Sequence, residues 1–163
     1  MKKNWVIKIG SSLVTKGGTG LDNKNIKNWT KQIDELVKNN IKVIIVSSGA
    51  ITEGMNRLGL KRRPTSSSEL QALASIGQMG LIQAYETAFK KYNILTAQML
   101  LTHEDFSNRE RYLNAKNTLN NLMSLNVIPI INENDSVSTD EIKFGDNDTL
   151  ASLVANLSSA NLL

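Results

Sequence analysis

The chain has 163 residues, a net charge of +4 at pH 7, 40% hydrophobic and 21% charged residues, and no cysteine. Its length and composition predict one ordinary globular domain, and the lack of cysteine excludes disulfides, thiolate metal sites and a cysteine nucleophile. A chain without cysteine fits the reducing cytoplasm, where we expect the protein to work. No apolar run is long enough to span a bilayer, so we expect no membrane partner.

The basic residues are scattered along the chain. The densest cluster, Lys61-Arg62-Arg63, stands just before Pro64. We interpret this cluster as a solvated surface loop and expect no nucleic-acid partner, because aromatic residues that could stack on bases make up only 5% of the chain. A mild basic excess suits anionic small substrates equally well.

Taken in chain order, the first half alternates strand and helix signals. Residues 5–9 form an apolar run that predicts a buried strand, followed by a loop at Gly10-Ser11-Ser12. Asp22 is placed to cap a helix, since apolar residues recur after it at helical spacing. The β-branched run 43–46 predicts a second strand, closed by Ser47-Ser48-Gly49-Ala50, and a helical stretch comes next.

The second half continues the alternation. We predict a long helix over about residues 68–92, a third strand over 94–101, a helix over about 109–125 and a fourth strand over 127–131. Asp146-Asn147-Asp148 can cap a last helix with Leu150, Leu153, Val154 and Leu157 on its apolar side.

Strands that alternate with helices predict an α/β fold, with a mainly parallel sheet covered by helices on both faces. Pro129 interrupts the fourth predicted strand, which indicates an irregular or edge position in the sheet. The apolar signal at residues 161–163 predicts the start of another strand.

Polar clusters follow three of the predicted strands: Gly10-Ser11-Ser12, Ser47-Ser48-Gly49-Ala50 and Asn132-Glu133-Asn134-Asp135. In open α/β sheets, ligands bind beyond the carboxyl ends of the strands. The sequence therefore predicts a binding site where these three clusters meet.

Lys8 is unusual because it lies inside an apolar strand, where an unpaired ammonium is costly. It could be an edge-strand lysine that points to solvent, or it could contact a ligand. The following Gly10 favours a ligand, because glycine lets the backbone approach phosphate oxygens closely. A Walker P-loop and a dinucleotide fingerprint are both absent. Gly17-Gly18-Thr19-Gly20 does not directly follow a strand, and we interpret it as a flexible turn.

Exposed N–H groups at Ser48-Gly49-Ala50 would suit a carboxylate, although a plain strand-to-helix turn is the better interpretation of the segment taken alone. Three interpretations remain open for the polar stretch from Asn132 to Asp148. Its hard oxygen atoms could bind Mg²⁺ or Ca²⁺. Alternatively, Asp135 could pair with the ammonium of an amino acid while Asn147 donates a hydrogen bond to the same ligand.

The third interpretation is an acidic surface loop with a helix cap at Asp146 or Asn147, which is compatible with ligand binding. We predict no dedicated metal site. His103 is the chain's only histidine, and we expect it to begin a helix rather than to act in catalysis.

In order along nearly the whole chain, the sequence resembles the amino-acid kinase family, and within it the branch of glutamate 5-kinases. The matching segments are residues 6–12, 45–51, 77–78, 98–102, 108–115, 130–135 and 142–148. The pair Asn132-Glu133-Asn134-Asp135 and Gly145-Asp146-Asn147-Asp148 is the most specific part of the resemblance.

The resemblance implies a three-layer α/β/α sandwich and transfer of the γ-phosphoryl group of ATP, with Mg²⁺, to the side-chain carboxylate of L-glutamate. The product would be glutamyl 5-phosphate, the first intermediate of proline synthesis. Lys8 would contact ATP phosphates and stabilise the transferred group, with Gly10 and Ser11 along the phosphate path. Asp148 would orient catalytic lysines.

The glutamate contacts implied by the resemblance are Ser48, Gly49, Ala50, Asp135 and Asn147. Proline is implied as a feedback inhibitor acting near the loop after Asp135, and the protein is expected to be a homo-oligomer. The family's kinase domain continues past the position of Leu163 with its nucleotide-binding part. Residues 1–163 are therefore expected to be the N-terminal, glutamate-binding part of a truncated domain.

Three alternatives are set against this hypothesis. Another enzyme of the same family is one, although acetylglutamate kinases usually carry His-Gly-Gly-Gly where this chain has Ser47-Ser48-Gly49-Ala50. A non-catalytic amino-acid-binding or regulatory module is the second. A basic nucleic-acid binder, recognisable by steep salt dependence, is the third.

Overall fold

A computed structural model describes residues 3–138 and 147–163. In these ranges, one sheet of four strands has the order β1-β2-β4-β3, and every neighbouring pair of strands is parallel. The strands are β1 (Lys3–Ile9), β2 (Ile41–Ser47), β3 (Thr96–Leu101) and β4 (Ile128–Glu133). The predicted parallel α/β sheet is confirmed.

Helices connect these strands. In the described ranges they are α1 (Ser11–Val14), α2 (Asn23–Lys38), α3 (Ala50–Arg57), α4 (Ser67–Lys90), α5 (Glu104–Ser107), α6 (Arg109–Ser124) and α7 (Asn147–Leu157). The predicted elements are all found, although β3 begins two residues later than expected and β4 ends two residues later. His103 directly precedes α5, which confirms that it begins a helix.

The core is divided between the two faces of the sheet. Successive strand residues point to opposite faces, so in β2 Ile44 and Val46 pack with α6 and α7, whereas Val43 and Ile45 pack with α2 and α4. All four β2 side chains are at most 2% exposed. Helices cover both faces, as the predicted three-layer α/β/α sandwich requires.

Of the two positions predicted for Pro129, irregular or edge, the edge position is wrong. β4 lies between β2 and β3, in the middle of the described sheet. Pro129 is aligned with Ala97 of β3, while pairing of β4 with β2 begins only at Ile130. The ring therefore lies just before the ladder with β2, where the missing N–H group of proline removes no strand-to-strand hydrogen bond.

Two local predictions in the first half are confirmed. The carboxylate of Asp22 accepts hydrogen bonds from the N–H groups of Lys24 (3.0 Å) and Asn25 (3.1 Å), and so caps α2. The Gly17-Gly18-Thr19-Gly20 segment is a turn whose three glycines have positive φ. These contacts fix the approach of the chain to α2 from α1.

Helices α3 and α4 pack with their backbones in close contact. A Cβ atom added at Gly77 would lie 1.7 Å from the carbonyl oxygen of Ala50, and one added at Gly54 would lie 2.0 Å from that of Leu73. Only glycine leaves room at these two positions. The contact holds the first residue of α3 against α4, directly after β2.

Near the end of the chain, Leu162 forms a parallel bridge with Trp5, and its carbonyl oxygen accepts a 2.9 Å hydrogen bond from the N–H group of Val6. The segment expected to begin another strand therefore lies beside β1. Of the helices in the described part of the chain, none is both long and apolar enough to cross a membrane.

Candidate functional site

A cleft of about 400 Å³ lies at the carboxyl ends of β1, β2 and β4. This volume is within the range usual for small-molecule sites. The cleft is lined by Lys8, Gly10, Ser11, Ser12, Ser48, Gly49, Ala50, Ile51, Thr52, Arg63, Asn132, Glu133, Asp135 and Asn147. Every site residue predicted from the sequence is in this lining except Asp148, which contacts one of its members.

On the β1 side, the Lys8 ammonium lies 2.6 Å from the carboxylate of Asp148. Lys8 is on the same face of β1 as Val6, because alternate residues of a strand share a face, and α7 covers that face. The Lys8 side chain is 29% exposed and that of Asp148 is 68% exposed. The lysine is therefore neither an unpaired buried charge nor a freely solvated one.

Gly10 leaves open space beside this ammonium. A Cβ atom at Gly10 would lie 3.4 Å from the Lys8 nitrogen. The following serines do not form the predicted open loop, because Ser11 already begins the single helical turn α1. Its first N–H groups have no acceptor earlier in the helix. A cation and N–H donors thus lie together around a position without a side chain, which is a suitable environment for an anion.

On the β2 side, Gly49 brings the chain from β2 into α3. It has φ of +108°, a conformation that side chains other than glycine rarely adopt. A Cβ atom there would also lie 2.6 Å from the Val14 side chain of α1. The N–H group of Ser48 donates to the carbonyl oxygen of Ile9 at 3.0 Å. The two turns that border the cleft are therefore fixed to each other.

The start of α3 faces the cleft. Ala50, Ile51 and Thr52 are its first three residues, and all three line the cleft. The first N–H groups of an α-helix lack intrahelical partners and carry the positive end of the helix dipole. This end of α3 favours a carboxylate or another anion.

Tyr85 of α4 contacts the turn that ends β2, residues 47–49, which we call the β2 turn. Its side chain is fully buried, and its hydroxyl lies 3.0 Å from that of Ser47. The Ser47 proton is donated to the carbonyl oxygen of Ser48, so the Tyr85 hydroxyl is the donor to Ser47. Burial raises the pKa of Tyr85 to about 12, and the rise is partly offset because the Ser47 hydroxyl can turn and donate to the phenolate.

A group of side-chain amides lies beside Ser48. The amide nitrogen of Asn147 donates to the Ser48 hydroxyl at 2.8 Å and to the amide oxygen of Asn132 at 3.1 Å. The amide nitrogen of Asn132 donates to Gln78 of α4 at 3.0 Å. Asn132 is 4% exposed, Gln78 7% and Asn147 9%. A continuous chain of hydrogen bonds therefore connects the β4–α7 side of the cleft to α4.

Charges of both signs line the cleft. Lys8 and Arg63 are cationic, whereas Glu133 and Asp135 are anionic. The Lys61-Arg62-Arg63 cluster is exposed in the loop between α3 and α4, as predicted, but its last residue also reaches the cleft. Within residues 3–138 and 147–163, no three acidic or histidine side chains converge as metal ligands.

Part of the predicted polar stretch lies outside the described residues, including Gly145 and the candidate cap Asp146. The alternative cap, Asn147, is instead the first residue of α7. Its side chain hydrogen-bonds across to Ser48, since that position directs it towards the end of β2. Asp148 follows in the first turn and lies beside Lys8.

Sequence reasoning missed three contributors to the site. Asn132 belonged to a recognised polar cluster but was not given a site role, and Arg63 was assigned to solvent. Gln78 could have been found as a polar residue on the apolar side of the long helix, between Ala74 and Leu81 at helical spacing. No local signal pointed to Arg63, because its loop reaches the cleft only through the packing of α3 on α4.

Comparisons with known proteins place this architecture in a family. Residues 3–163 match the profile of the amino acid kinase family. The chain is 61% identical over 158 residues to a glutamate 5-kinase of Nitrosospira multiformis, covering 97% of this chain and 42% of that protein. It is 60% identical over 161 residues to a glutamate 5-kinase of Methylobacillus flagellatus, covering 99% and 43%.

A glutamate 5-kinase of Thioalkalivibrio sulfidiphilus is 56% identical over 161 residues, again covering 99% of this chain and 43% of the relative. The chain thus spans less than half the length of these curated relatives. The family profile, by contrast, matches almost all of the chain and agrees with the parallel sheet and the cleft at its carboxyl edge. The chain belongs to the amino acid kinase family.

Proposed function

We propose that this protein transfers the γ-phosphoryl group of ATP to the side-chain carboxylate of L-glutamate, forming glutamyl 5-phosphate, the first intermediate of proline synthesis. One observation carries the proposal. The same cleft is bordered by Lys8, a cation suited to phosphate, and by Ser48, Asp135 and Asn147, whose groups suit the ammonium and carboxylate of an amino acid. The similarity to proteins named glutamate 5-kinase supports the choice of substrate.

The cleft offers a complementary group for each charged part of glutamate. The Asp135 carboxylate suits the substrate ammonium, and the start of α3 with the Ser48 hydroxyl suits a carboxylate. Asn147 lies next to Ser48 and completes that side of the pocket. An amino acid with a second carboxylate would thus be held by Ser48, Asp135 and Asn147, with its reacting end towards Lys8.

Positioning and charge neutralisation are the main tasks of the chain in this reaction. A glutamate carboxylate is already ionised at neutral pH, so no general base is needed to activate it. Lys8 would contact the transferred phosphoryl group, with Gly10 and Ser11 along its path. Asp148 holds the Lys8 ammonium at 2.6 Å and would set its direction rather than accept a proton.

ATP fits the β1 side of the cleft, because Lys8, the open position at Gly10 and the N–H groups of α1 form an anion-compatible surface. Bound with ATP, Mg²⁺ would neutralise phosphate charge, and it is commonly held by one or two carboxylates together with the phosphates. We assign residues 1–163 to the glutamate-binding part of the kinase domain and the nucleotide-binding part to chain outside these residues.

Three further features belong to the proposal. Proline would act as a feedback inhibitor near the loop after Asp135, since it shares the ammonium and carboxylate of glutamate. The protein would work in the cytoplasm as a homo-oligomer. The densest basic cluster, Lys61-Arg62-Arg63, has one member that lines the cleft, so we propose no nucleic-acid partner.

Trapping of an acyl phosphate tests the proposal. The longest natural form of the protein is incubated with ATP, Mg²⁺ and hydroxylamine, and glutamate is compared with aspartate and acetylglutamate. We expect hydroxamate from glutamate alone. A folded protein that binds glutamate but gives no hydroxamate from any acid would instead be an amino-acid-binding regulatory module, and the proposed activity would be wrong.

A further inference from the structure

We propose that Gln78 and Asn132 are positioning residues that fix the direction of hydrogen bonding at Ser48, so that the Ser48 hydroxyl donates its proton to an acceptor atom of the ligand in the cleft. The inference deepens the proposed function and rests on it for the identity of the ligand, L-glutamate. Neither side chain was assigned a role from the sequence. Gln78 lies behind the residues that line the cleft, and Asn132 lines it beside Asn147.

The direction of the hydrogen bonds begins at the backbone. The N–H group of Glu133 donates to the side chain of Asn132 at 2.9 Å. A backbone N–H group can only donate, so the Asn132 atom that faces it must be the amide oxygen. The amide nitrogen of Asn132 then points the opposite way, towards the amide oxygen of Gln78 at 3.0 Å. The orientation of Asn132 is therefore determined by its surroundings.

The orientation of Asn132 in turn determines the orientation of Asn147, which contacts Ser48 in the cleft. Its amide faces the Asn132 oxygen at 3.1 Å, so the facing atom must be the donor nitrogen. The same nitrogen donates to the Ser48 hydroxyl at 2.8 Å, which uses both of its hydrogens. Ser48 accepts a hydrogen bond there, and its own proton is left to donate. A carboxylate in the cleft is an acceptor of the required kind.

Gln78 fixes the end of this chain of hydrogen bonds that is farthest from Ser48. It is 7% exposed on α4, and its amide nitrogen donates to the oxygen of Gln98 on β3 at 3.3 Å. Without Gln78, the buried Asn132 nitrogen would lose its acceptor, and buried polar groups without partners are avoided. The strand end that carries Asn132 would then adjust, and the position of Asn147 would no longer be fixed.

Four variants of the longest natural form of the protein test the inference. Gln78→Met removes the acceptor at nearly constant volume, whereas Gln78→Glu keeps an acceptor for Asn132. Asn132→Leu removes the oxygen that orients Asn147. Gln83→Met makes the same chemical change at an exposed position of α4 away from the cleft, and serves as the matched control.

We expect the KM for glutamate to rise about tenfold in Gln78→Met and more in Asn132→Leu, with kcat within about threefold of wild type. Gln78→Glu should stay within about threefold of the wild-type KM, and Gln83→Met should match it. A purely structural role would lower the fraction of folded protein and hence kcat, but it would leave KM unchanged. Unchanged KM in both Gln78→Met and Asn132→Leu would overturn the inference.

A second measurement does not depend on glutamate. The side-chain NH₂ signals of Asn147 are followed by NMR in protein labelled with ¹⁵N-asparagine and are assigned with an Asn147→Asp variant. We expect Gln78→Met and Asn132→Leu to shift these signals and Gln83→Met to leave them in place. If wild type forms no hydroxamate, the proposed function fails, and unchanged Asn147 signals would still overturn the positioning role by themselves.

Discussion

The two sides of the cleft are built differently. On the β1 side, the Lys8 ammonium is held by the Asp148 carboxylate, whose side chain is 68% exposed, beside a glycine that leaves space. On the β2–β4 side, Ser48, Asn147 and Asn132 are joined by hydrogen bonds that continue into a buried helix face. The first side supplies a positive charge, and the second holds hydrogen-bonding groups in fixed orientations.

This difference matches the two tasks of the proposed reaction. A phosphoryl group changes its charge distribution and position during transfer, so a cation with some freedom can follow it. A carboxylate nucleophile must be held in one orientation, and preorganised hydrogen bonds lower the cost of ordering it. Changes on the β1 side should therefore affect turnover, and changes on the β2–β4 side should affect glutamate affinity.

The largest effect is expected from Lys8→Ala. Loss of a charge that stabilises the transition state should lower kcat roughly 100- to 1,000-fold, with little change in glutamate affinity. Steady-state kinetics and calorimetric titration with glutamate measure the two quantities separately. Lys3→Ala, an exposed lysine on the same strand, is the control. Turnover close to that of wild type in Lys8→Ala would show that this lysine has another role.

Asp135→Ala should weaken glutamate binding and have little effect on turnover. We propose that this carboxylate pairs with the substrate ammonium, and truncation of one partner of a charge pair at a binding site costs roughly 2 kcal/mol or more. We expect the KM for glutamate to rise about 30-fold, with kcat reduced far less. Glu86→Ala changes an exposed acidic residue of α4 and controls for net charge. Equal KM values in Asp135→Ala and wild type would contradict the assignment.

Gly77→Ala tests how the β2–β4 side is held in place. The new methyl group would lie 1.7 Å from the carbonyl oxygen of Ala50, so α3 must move away from α4. Overpacking of this kind lowers the free energy of unfolding by about 1–3 kcal/mol. Urea denaturation measures it, with Met79→Ala at a 70% exposed position of the same helix as the control. Wild-type stability in Gly77→Ala would mean that the two helices can separate at little cost.

Much of the site was predictable from the sequence because the signals are local. A polar cluster directly after an apolar strand marks the carboxyl end of that strand, and parallel strands bring those ends to one edge. Ser48 and Asp135 were found in this way, whereas Lys8 was singled out as a charge inside an apolar strand, and all three line one cleft. The Asp22 cap was predictable for the same reason, because its hydrogen bonds reach only two and three residues along the chain.

Features that depend on distant pairing were harder to predict. Pro129 indicated an irregular or edge position, but the order of strands is set by contacts between segments far apart in sequence, and β4 is central. Arg63 reaches the cleft only because Gly54 and Gly77 let α3 lie against α4. Residues that act by packing across elements leave little trace in the local pattern.

The last effect appears only at high pH and comes from the buried hydroxyl of Tyr85, under the β2 turn. Burial raises its pKa from 10.0 to about 12, so between these pH values the unfolded chain has lost a proton that the folded chain retains. Stability should therefore be unaffected below pH 10 and fall by about 2–3 kcal/mol towards pH 12, because one pKa unit corresponds to about 1.4 kcal/mol.

Urea denaturation at several pH values between 9 and 12 measures this loss against Tyr85→Phe, which should lack this contribution to the pH dependence. Tyr92→Phe replaces a half-buried tyrosine two residues after the end of α4, and this variant should keep the pH dependence that Tyr85 causes. Because the Tyr85 hydroxyl donates to Ser47, Tyr85→Phe should also weaken the β2 turn slightly at neutral pH. Identical pH profiles for Tyr85→Phe and wild type would mean that the hydroxyl ionises without disturbing Ser47, and that the β2 side is less rigid than its hydrogen bonds suggest.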